Sequence, residues 1–289
     1  MRRAVMVAGL VLSGLVAGCG DDGNGSQGAT GGSAGSGGTG GEAGQTGGSG
    51  AGTQGGSGGG GGSGGAVSAD GWQSAYVENG VGVNCQQTAD EMMVLGAPSL
   101  SFGDTTIFVG FEQDGQNQNP VFARFDAGTK VYCEHHEKEG PDGRAVGITW
   151  NGDEYAYVVY TIVGGGSALE GKGGWVPSYA PGAISGGGPK VSYVGKVETA
   201  YGTLASGTFV IAVKSDNKVN SHGPRGAVTV MEDGNVEFLG ESAHKPIDEG
   251  WVAMDCTDYP FDSRYRLSPD LDSLLCADCS NCISKKPCP

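Results

Sequence analysis

The chain has 289 residues and a formal net charge of −15, and 58 of its residues are Gly, of which 28 lie in residues 1–65. The Gly runs lack a G-X-Y period and the later residues are rich in Val, Tyr and Phe, which excludes both a fibrous protein and a wholly disordered chain. Because the chain is acidic and has no Lys/Arg run, we expect no nucleic-acid partner, and any membrane attachment must be hydrophobic or covalent.

Residues 1–19 have the pattern of a signal peptide. Arg2 and Arg3 precede an apolar stretch, Ala4–Val16, that is too short to span a bilayer as a permanent helix. The end of the segment, Leu-Val-Ala-Gly-Cys at Leu15–Cys19, resembles the lipobox of bacterial lipoproteins. That resemblance implies cleavage before Cys19 and a membrane anchor made by lipid on its thiol. The alternatives are an uncleaved anchor helix and a plain secreted protein.

Residues 20–65 consist almost entirely of Gly, Ser, Thr, Ala and Gln, and their only charges are Asp21, Asp22 and Glu42. No hydrophobic core can form from such residues, so we predict a disordered linker whose ends lie about 40 Å apart on average. This linker would hold the following domain clear of a lipid surface. We expect that domain to span residues 66–262 and a short Cys-rich tail to occupy residues 263–289.

Residues 66–262 carry the apolar patterns of strands, which predicts an all-β domain of antiparallel sheets. The predicted strands are Thr105–Glu112, Val121–Asp126, Thr129–His135, Ala145–Trp150, Glu154–Val163, Lys190–Glu198, Gly207–Lys214, Gly226–Met231 and Asn235–Gly240. Glu154–Val163 is apolar on both faces and is therefore expected to be a central, buried strand. Only Pro269–Cys282 shows any helical periodicity.

A strand–turn–strand pattern repeats along the domain. The segment AVGITWNGDEYAYVVYT at residues 145–161 aligns with AVTVMEDGNVEFLGES at residues 227–242. VFARFDAGTKVYC from Val121 and YVGKVETAYGTL from Tyr193 lie upstream, and SFGDTTIFVGFEQ from Ser101 is a candidate third copy. These segments resemble extracellular bacterial β-propeller repeats, which implies a propeller-like arrangement of repeated hairpins. A two-sheet sandwich explains the same pattern.

Residues 164–189 interrupt the repeats with a long Gly- and Pro-rich loop that contains Trp175 and Tyr179. We expect these aromatic side chains to fold back on the sheet as a lid. The alternative is that they are exposed and stack on sugar rings or on an apolar patch of a partner.

The histidines give no catalytic pattern. Cys133, His135 and Glu137 share one face of a predicted strand and would form a metal site if another ligand came near, but a polar strand end is the simpler interpretation. A hydrolase would require His and carboxylate side chains to converge in one cleft, and no such set can be assembled from the sequence.

Eight cysteines are present, and Cys19 is assigned to lipidation. The seven others allow up to three disulfides and one leftover thiol, with the connectivity open. The disulfide candidates are Cys85, Cys133, Cys256, Cys276, Cys279, Cys282 and Cys288. The last four form C-x2-C-x2-C-x5-C, which resembles a bacterial ferredoxin run but departs in its final spacing. Structural disulfides are therefore favoured over a metal or cluster at Cys276, Cys279, Cys282 and Cys288, and over a redox-active pair.

Taken together, these patterns predict a lipid-anchored, extracytoplasmic cell-envelope protein whose β-domain binds a partner or has a structural role without catalysis. The expected partners are the membrane, through the N-terminal lipid, and an envelope protein or glycan. No cofactor is expected. The alternative is a redox or metal-binding protein that uses the C-terminal cysteines.

Overall fold

The computed structural model describes residues 71–138, 142–163, 168–178, 190–216 and 218–289. The predicted signal peptide, lipidated Cys19 and linker lie outside these residues, as does Tyr179. Within the described residues the first ten strands are β1 (Gln73–Tyr76), β2 (Ser99–Phe102), β3 (Thr105–Asp114), β4 (Asn117–Asp126), β5 (Thr129–His135), β6 (Gly143–Trp150), β7 (Tyr155–Val163), β8 (Lys190–Glu198), β9 (Thr203–Val210) and β10 (Ala212–Val213). The others are β11 (Val219–Asn220), β12 (His222–Pro224), β13 (Thr229–Val230), β14 (Val236–Ser242), β15 (Lys245–Pro246), β16 (Asp255–Cys256), β17 (Phe261–Leu267), β18 (Leu274–Cys279) and β19 (Cys282–Ile283).

The fold is all-β, and every pair of these strands is antiparallel, as the sequence predicts. The first sheet has the order β2-β3-β4-β5, the second β1-β6-β7-β8-β9, and the third β12-β14-β17-β18 with β13 paired to β14. Two small sheets, β11-β10-β15 and β16-β19, complete the pairing. The described residues contain one α-helix, α1 (Ala89–Val94), and a 3-10 turn at Glu249–Trp251.

The second sheet is buried on both faces, because alternate residues of a strand point to opposite sides. Val158 and Tyr160 of β7 belong to the core that the second sheet shares with the first, where they meet Phe122. Tyr157 and Val159 belong to a separate core with Phe238 and Tyr265 of the third sheet. The expectation of a central strand at Glu154–Val163 is therefore confirmed, and the three sheets form successive layers.

Helix α1 was not predicted, although its signal is present in the sequence. Thr88 accepts a hydrogen bond from the backbone of Glu91, and the Glu91 carboxylate accepts one from the backbone of Thr88, which is a capping box. The helix is only six residues long, and Met92 is its one buried residue. Met92 packs in a third core with Phe108 and Phe125, on the first sheet.

The expectation of helical periodicity over Pro269–Cys282 is wrong. Leu274–Cys279 is the strand β18, paired with β17, and Cys282–Ile283 is the strand β19. Leu274 and Ala277 are buried in the core of the third sheet, and Cys276 is also buried. Pairing with β17 therefore overrides the weak helical pattern of the sequence. The tail thus continues the sheet, and β17 runs across the predicted boundary at residue 262.

Part of the long loop, residues 168–178, lies against the edge of the second sheet. Val176 is buried, and its carbonyl oxygen accepts a hydrogen bond from Phe209 N at 3.0 Å. Trp175 packs against both neighbouring cores, and its backbone N–H donates to Leu271 O at 2.8 Å. Trp175 therefore folds back on the sheet as a lid, as expected from the sequence.

Close packing at β9 generates a stability prediction. A Cβ atom on Gly207 would lie 2.0 Å from the hydroxyl oxygen of Tyr193, whereas one on Gly223 would meet no atom within 4 Å. Gly207→Ala should lower the free energy of unfolding by about 1–3 kcal/mol, since the buried Tyr193 ring must shift. Gly223→Ala is the matched control and should change it by less than about 0.5 kcal/mol. Urea unfolding measures both, and equal effects would contradict the packing described.

Candidate ligand-binding groove and cysteine cluster

An open groove of about 460 Å³ lies between two hairpin turns. One turn, residues 151–154, joins β6 to β7, and the other, residues 231–235, joins β13 to β14. These are the turns of the two segments that align in the sequence. The packing of the second sheet on the third places them side by side, and the groove is the space between them.

Aromatic side chains form one part of the groove wall. Trp72 precedes β1, and its ring lies 5.7 Å from that of Tyr157 at a tilt of 38°. Tyr157 is buried and donates its hydroxyl to Pro269 O at 2.7 Å, so its ring is fixed. Trp72 and Tyr155 are only partly buried and present aromatic surface to the groove.

Carboxylates form the other part. Asp153 and Glu154 on the first turn and Glu232 on the second line the groove and are exposed. Among the described residues, Lys196 is the one cation in the lining. Its ammonium lies 4.6 Å from the centre of the Tyr155 ring and 2.6 Å from Asp270 Oδ1, and Asp270 is outside the lining. The groove is therefore negatively charged, and its only cation already has a partner.

Both turns are held in place by their own hydrogen bonds. Trp150 Nε1 donates to Asp153 O at 2.7 Å, and Thr199 Oγ1 donates to the same oxygen at 3.1 Å. In the second turn, Met231 N donates to Asn235 O at 2.8 Å, and the Asp233 side chain accepts from Asn235 N at 3.0 Å. The groove is thus preformed, which lowers the entropy cost of binding a ligand.

The described cysteines form three disulfides, which join Cys85 to Cys133, Cys256 to Cys282 and Cys276 to Cys288. Cys279 has a free thiol. Three disulfides indicate a non-reducing, extracytoplasmic environment. Within the described residues no helix has the length and hydropathy to cross a bilayer.

The four tail cysteines considered as metal ligands are not brought together as thiols. Cys276 and Cys288 are bonded to each other, and Cys282 is bonded to Cys256. The Sγ atom of Cys279 lies 2.7 Å from that of Cys282, and the sulfurs of Cys256, Cys279 and Cys282 all lie within 4.8 Å of one another. Burial and the charge of Asp262 raise the pKa of the Cys279 thiol to about 12, so this sulfur is protonated at neutral pH.

The face shared by Cys133 and His135 also holds Glu112. His135 Nε2 lies 2.7 Å from Glu112 Oε2 and 3.8 Å from Cys85 Sγ. Because Cys85 and Cys133 are bonded to each other, neither offers a thiolate to a metal. Glu137, the third residue of the predicted set, accepts hydrogen bonds from the backbone of Lys138 and Ala168 instead.

Two other histidines are structural. His222 is fully buried, and its Nε2 lies 2.8 Å from the hydroxyl of Ser263, which donates to Gly240 O. His136 stacks on Phe122, with Nε2 at 2.8 Å from Gly202 O and Nδ1 at 2.6 Å from the Tyr160 hydroxyl. Burial lowers the pKa of His136 to about 4 and that of His222 to about 3. Both rings are therefore occupied by hydroxyl and backbone oxygen partners, and neither is paired with a carboxylate within the described residues.

Four groove residues were not predicted as site residues from the sequence: Trp72, Tyr155, Lys196 and Glu232. The available signal was the pair of aligned turns, each of which carries carboxylates. No protein-family model, curated protein or solved structure matches the chain.

The buried histidines predict acid sensitivity. Between pH 6.5 and about 4 the unfolded chain protonates His136 and His222 whereas the folded chain does not. The unfolded state then binds more protons, so their contribution to stability is fully present above pH 6.5 and is lost as the pH falls. Compared with the wild-type protein, His222→Gln should lose less stability between pH 7 and pH 4, by about 3 kcal/mol.

Urea unfolding at a series of pH values measures this difference. Phe238→Leu is the matched control, because the buried Phe238 ring lies 5.9 Å from that of His222 and carries no titratable group, so its replacement should leave the pH dependence of stability unchanged. If His222→Gln and the wild-type protein lost the same stability over this range, the burial argument would be wrong.

Proposed function

We propose that this protein is a lipid-anchored protein of the cell envelope whose extracytoplasmic β-domain binds a glycan, without catalysis, in the groove between the two turns. Attachment to the membrane would come from lipid on Cys19, and the Gly-rich residues 20–65 would hold the domain away from the bilayer. The three disulfides support the extracytoplasmic location, and the lipobox-like Leu15–Cys19 segment supports the anchor.

The observation that carries the binding proposal is the combination of ring surface and carboxylates in a preformed groove. Trp72 and Tyr155 offer flat apolar faces, which suit the C–H faces of sugar rings. Asp153, Glu154 and Glu232 accept hydrogen bonds and so suit sugar hydroxyl and amino groups. Because Lys196 is paired with Asp270 and not with these carboxylates, we propose that an amino sugar binds more tightly than an acidic one.

The order of the sheets supports a propeller-like interpretation of the fold over a two-sheet sandwich. Apart from β1, which precedes the first sheet but pairs in the second, the strands of the three larger sheets follow one another along the chain, and the sheets pack in that same order through two separate cores. A sandwich has one core between two sheets. We propose that each sheet is a blade-like unit built from repeated hairpins, with the ligand groove at the turns between two units.

The alternative function, a redox or metal-binding protein, is favoured by one observation, the cluster of Cys256, Cys279 and Cys282. A metal would require three thiolates, and two of these sulfurs are joined as a disulfide. The cluster therefore supports sulfur chemistry more directly than metal binding.

The binding proposal is tested with three soluble hexasaccharides of β-linked glucosamine, β-linked N-acetylglucosamine and galacturonic acid. By calorimetry, we expect the glucosamine hexamer to bind most tightly and the acidic hexamer not to bind. Trp72→Ala should weaken binding about tenfold, which corresponds to ~1.4 kcal/mol, because it removes the exposed ring.

Trp251→Ala is the matched control, since Trp251 is also an exposed indole but lies outside the groove lining. Its replacement should leave affinity unchanged. Failure of all three sugars to bind, or equal weakening by both substitutions, would overturn the proposal.

The anchor is tested separately with Cys19→Ser, expressed as the full chain in a bacterial host. The wild-type protein should fractionate with membranes and carry acyl chains on its N-terminal peptide in mass spectra, whereas Cys19→Ser should lose both properties. Cys279→Ser, which alters a cysteine outside the leader, should remain attached. Membrane attachment of Cys19→Ser equal to that of the wild-type protein would contradict a lipid anchor.

A further inference from the structure

A free thiol touches a disulfide at the end of the third sheet. The turn Ser280–Asn281 joins β18 to β19 and places Cys279 beside Cys282. The turn is fixed by two backbone hydrogen bonds, from Ser280 N to Asp262 O at 2.8 Å and from Thr257 N to Asn281 O at 3.0 Å. The contact between the Cys279 and Cys282 sulfurs, at 2.7 Å, is therefore held by the backbone.

We propose that Cys256, Cys279 and Cys282 form a thiol–disulfide exchange site, in which the domain interconverts between a Cys256–Cys282 and a Cys279–Cys282 disulfide. This activity is independent of the groove. The starting state has the Cys256–Cys282 disulfide. The product has a Cys279–Cys282 disulfide, which the C-x2-C spacing of these two cysteines allows.

The exchange balances within the chain. Cys279 loses its proton, and its Sγ attacks the Sγ of Cys282. A new S–S bond forms between these two sulfurs as the bond from Cys282 to Cys256 breaks. The electron pair passes to the Sγ of Cys256, which takes up a proton. The number of disulfides is unchanged, so neither an oxidant nor a reductant is consumed.

The exchange alters how the tail is attached. The Cys256–Cys282 bond ties β16 to β19, whose backbone pairing extends over only two residues on each strand. After exchange, β19 is closed onto β18 and the segment around Cys256 is held by non-covalent contacts alone. The Cys276–Cys288 bond keeps the end of the chain attached in both states.

Groups around Cys279 set the pKa of its thiol and so the rate of exchange. Burial raises the pKa of the thiol, and the charge of Asp262 on the paired strand β17 raises it further. Burial also raises the pKa of the neighbouring Tyr265 phenol. The nearby charges of Arg264 and Asp278 neutralise each other as an ion pair. Exchange is therefore slow at neutral pH, and its rate should rise about tenfold for each pH unit up to about pH 12.

Asp262 and Glu241 provide a matched pair of variants. Arg225 Nη2 binds both carboxylates, with Asp262 Oδ1 at 2.7 Å and Glu241 Oε2 at 2.5 Å. Either substitution, Asp262→Asn or Glu241→Gln, leaves Arg225 with one carboxylate partner. Only Asp262 contributes charge at Cys279, so only Asp262→Asn should speed the exchange.

The test uses the oxidised full chain, incubated at pH 7, 8 and 9, quenched with acid, alkylated with N-ethylmaleimide in denaturant and digested with trypsin without reduction. In the starting isomer, the tryptic peptide 226–264, which contains Cys256, is linked to peptide 267–285, which contains Cys282. Exchange releases peptide 226–264 with an alkylated Cys256.

We expect this release to accelerate with pH, to be independent of protein concentration, to be several-fold faster in Asp262→Asn and to be unchanged in Glu241→Gln. In Cys279→Ser the two peptides should stay linked at every pH. Alkylation confined to Cys279 in the wild-type protein at all three pH values, or equal release of peptide 226–264 from Cys279→Ser, would overturn the proposal. A release rate that rises with protein concentration would also overturn it, because the exchange would then be intermolecular.

Discussion

Burial of the second sheet on both faces is the constraint on which the other features of the domain depend. β7 places Val158 and Tyr160 in one core and Tyr157 and Val159 in another. Each such side chain gains roughly 1.5–3 kcal/mol from burial, so the strand is stable only when a sheet covers each of its faces. The first and third sheets pack against these two faces. The neutral histidines His136, which is partly exposed, and His222, which is fully buried, lie at the same packing contacts, where they satisfy backbone carbonyls or hydroxyls.

The same packing positions the groove. Because β6–β7 and β13–β14 are aligned hairpins on adjacent sheets, stacking the sheets brings their turns to one place. The strands fix Tyr155 and Lys196, Trp72 lies just before β1, and the turns present Asp153 and Glu232. A rigid scaffold with polar turns at its edge is a common way to build a binding site. The cysteine cluster lies elsewhere, at the end of the third sheet, so ligand binding and disulfide exchange can be studied separately.

The all-β fold class and several individual strands could be predicted from the sequence. The doubly apolar Glu154–Val163 pattern identified the central strand, and the aligned strand–turn–strand segments at residues 145–161 and 227–242 identified two hairpins. In the first of these turns Gly152 has a φ of 91°, which other residues rarely adopt. Local patterns failed for the tail, since Leu274 and Ala277 owe their conformation to pairing with β17. The disulfide connectivity and the groove could not be predicted, because Cys256 and Cys282, or Trp72 and Glu232, meet only after the sheets have packed.

We propose that the doubly covered sheet creates a binding site between the two aligned turns. Amide hydrogen exchange of the full chain, with and without the glucosamine hexamer, tests it most directly because it locates binding along the backbone. We predict slower exchange on adding the hexamer in residues 151–155 and 230–235, and no change in residues 168–178 or in the tail from residue 274 onward. Protection confined to the loop at residues 168–178, or none in either turn, would contradict this account.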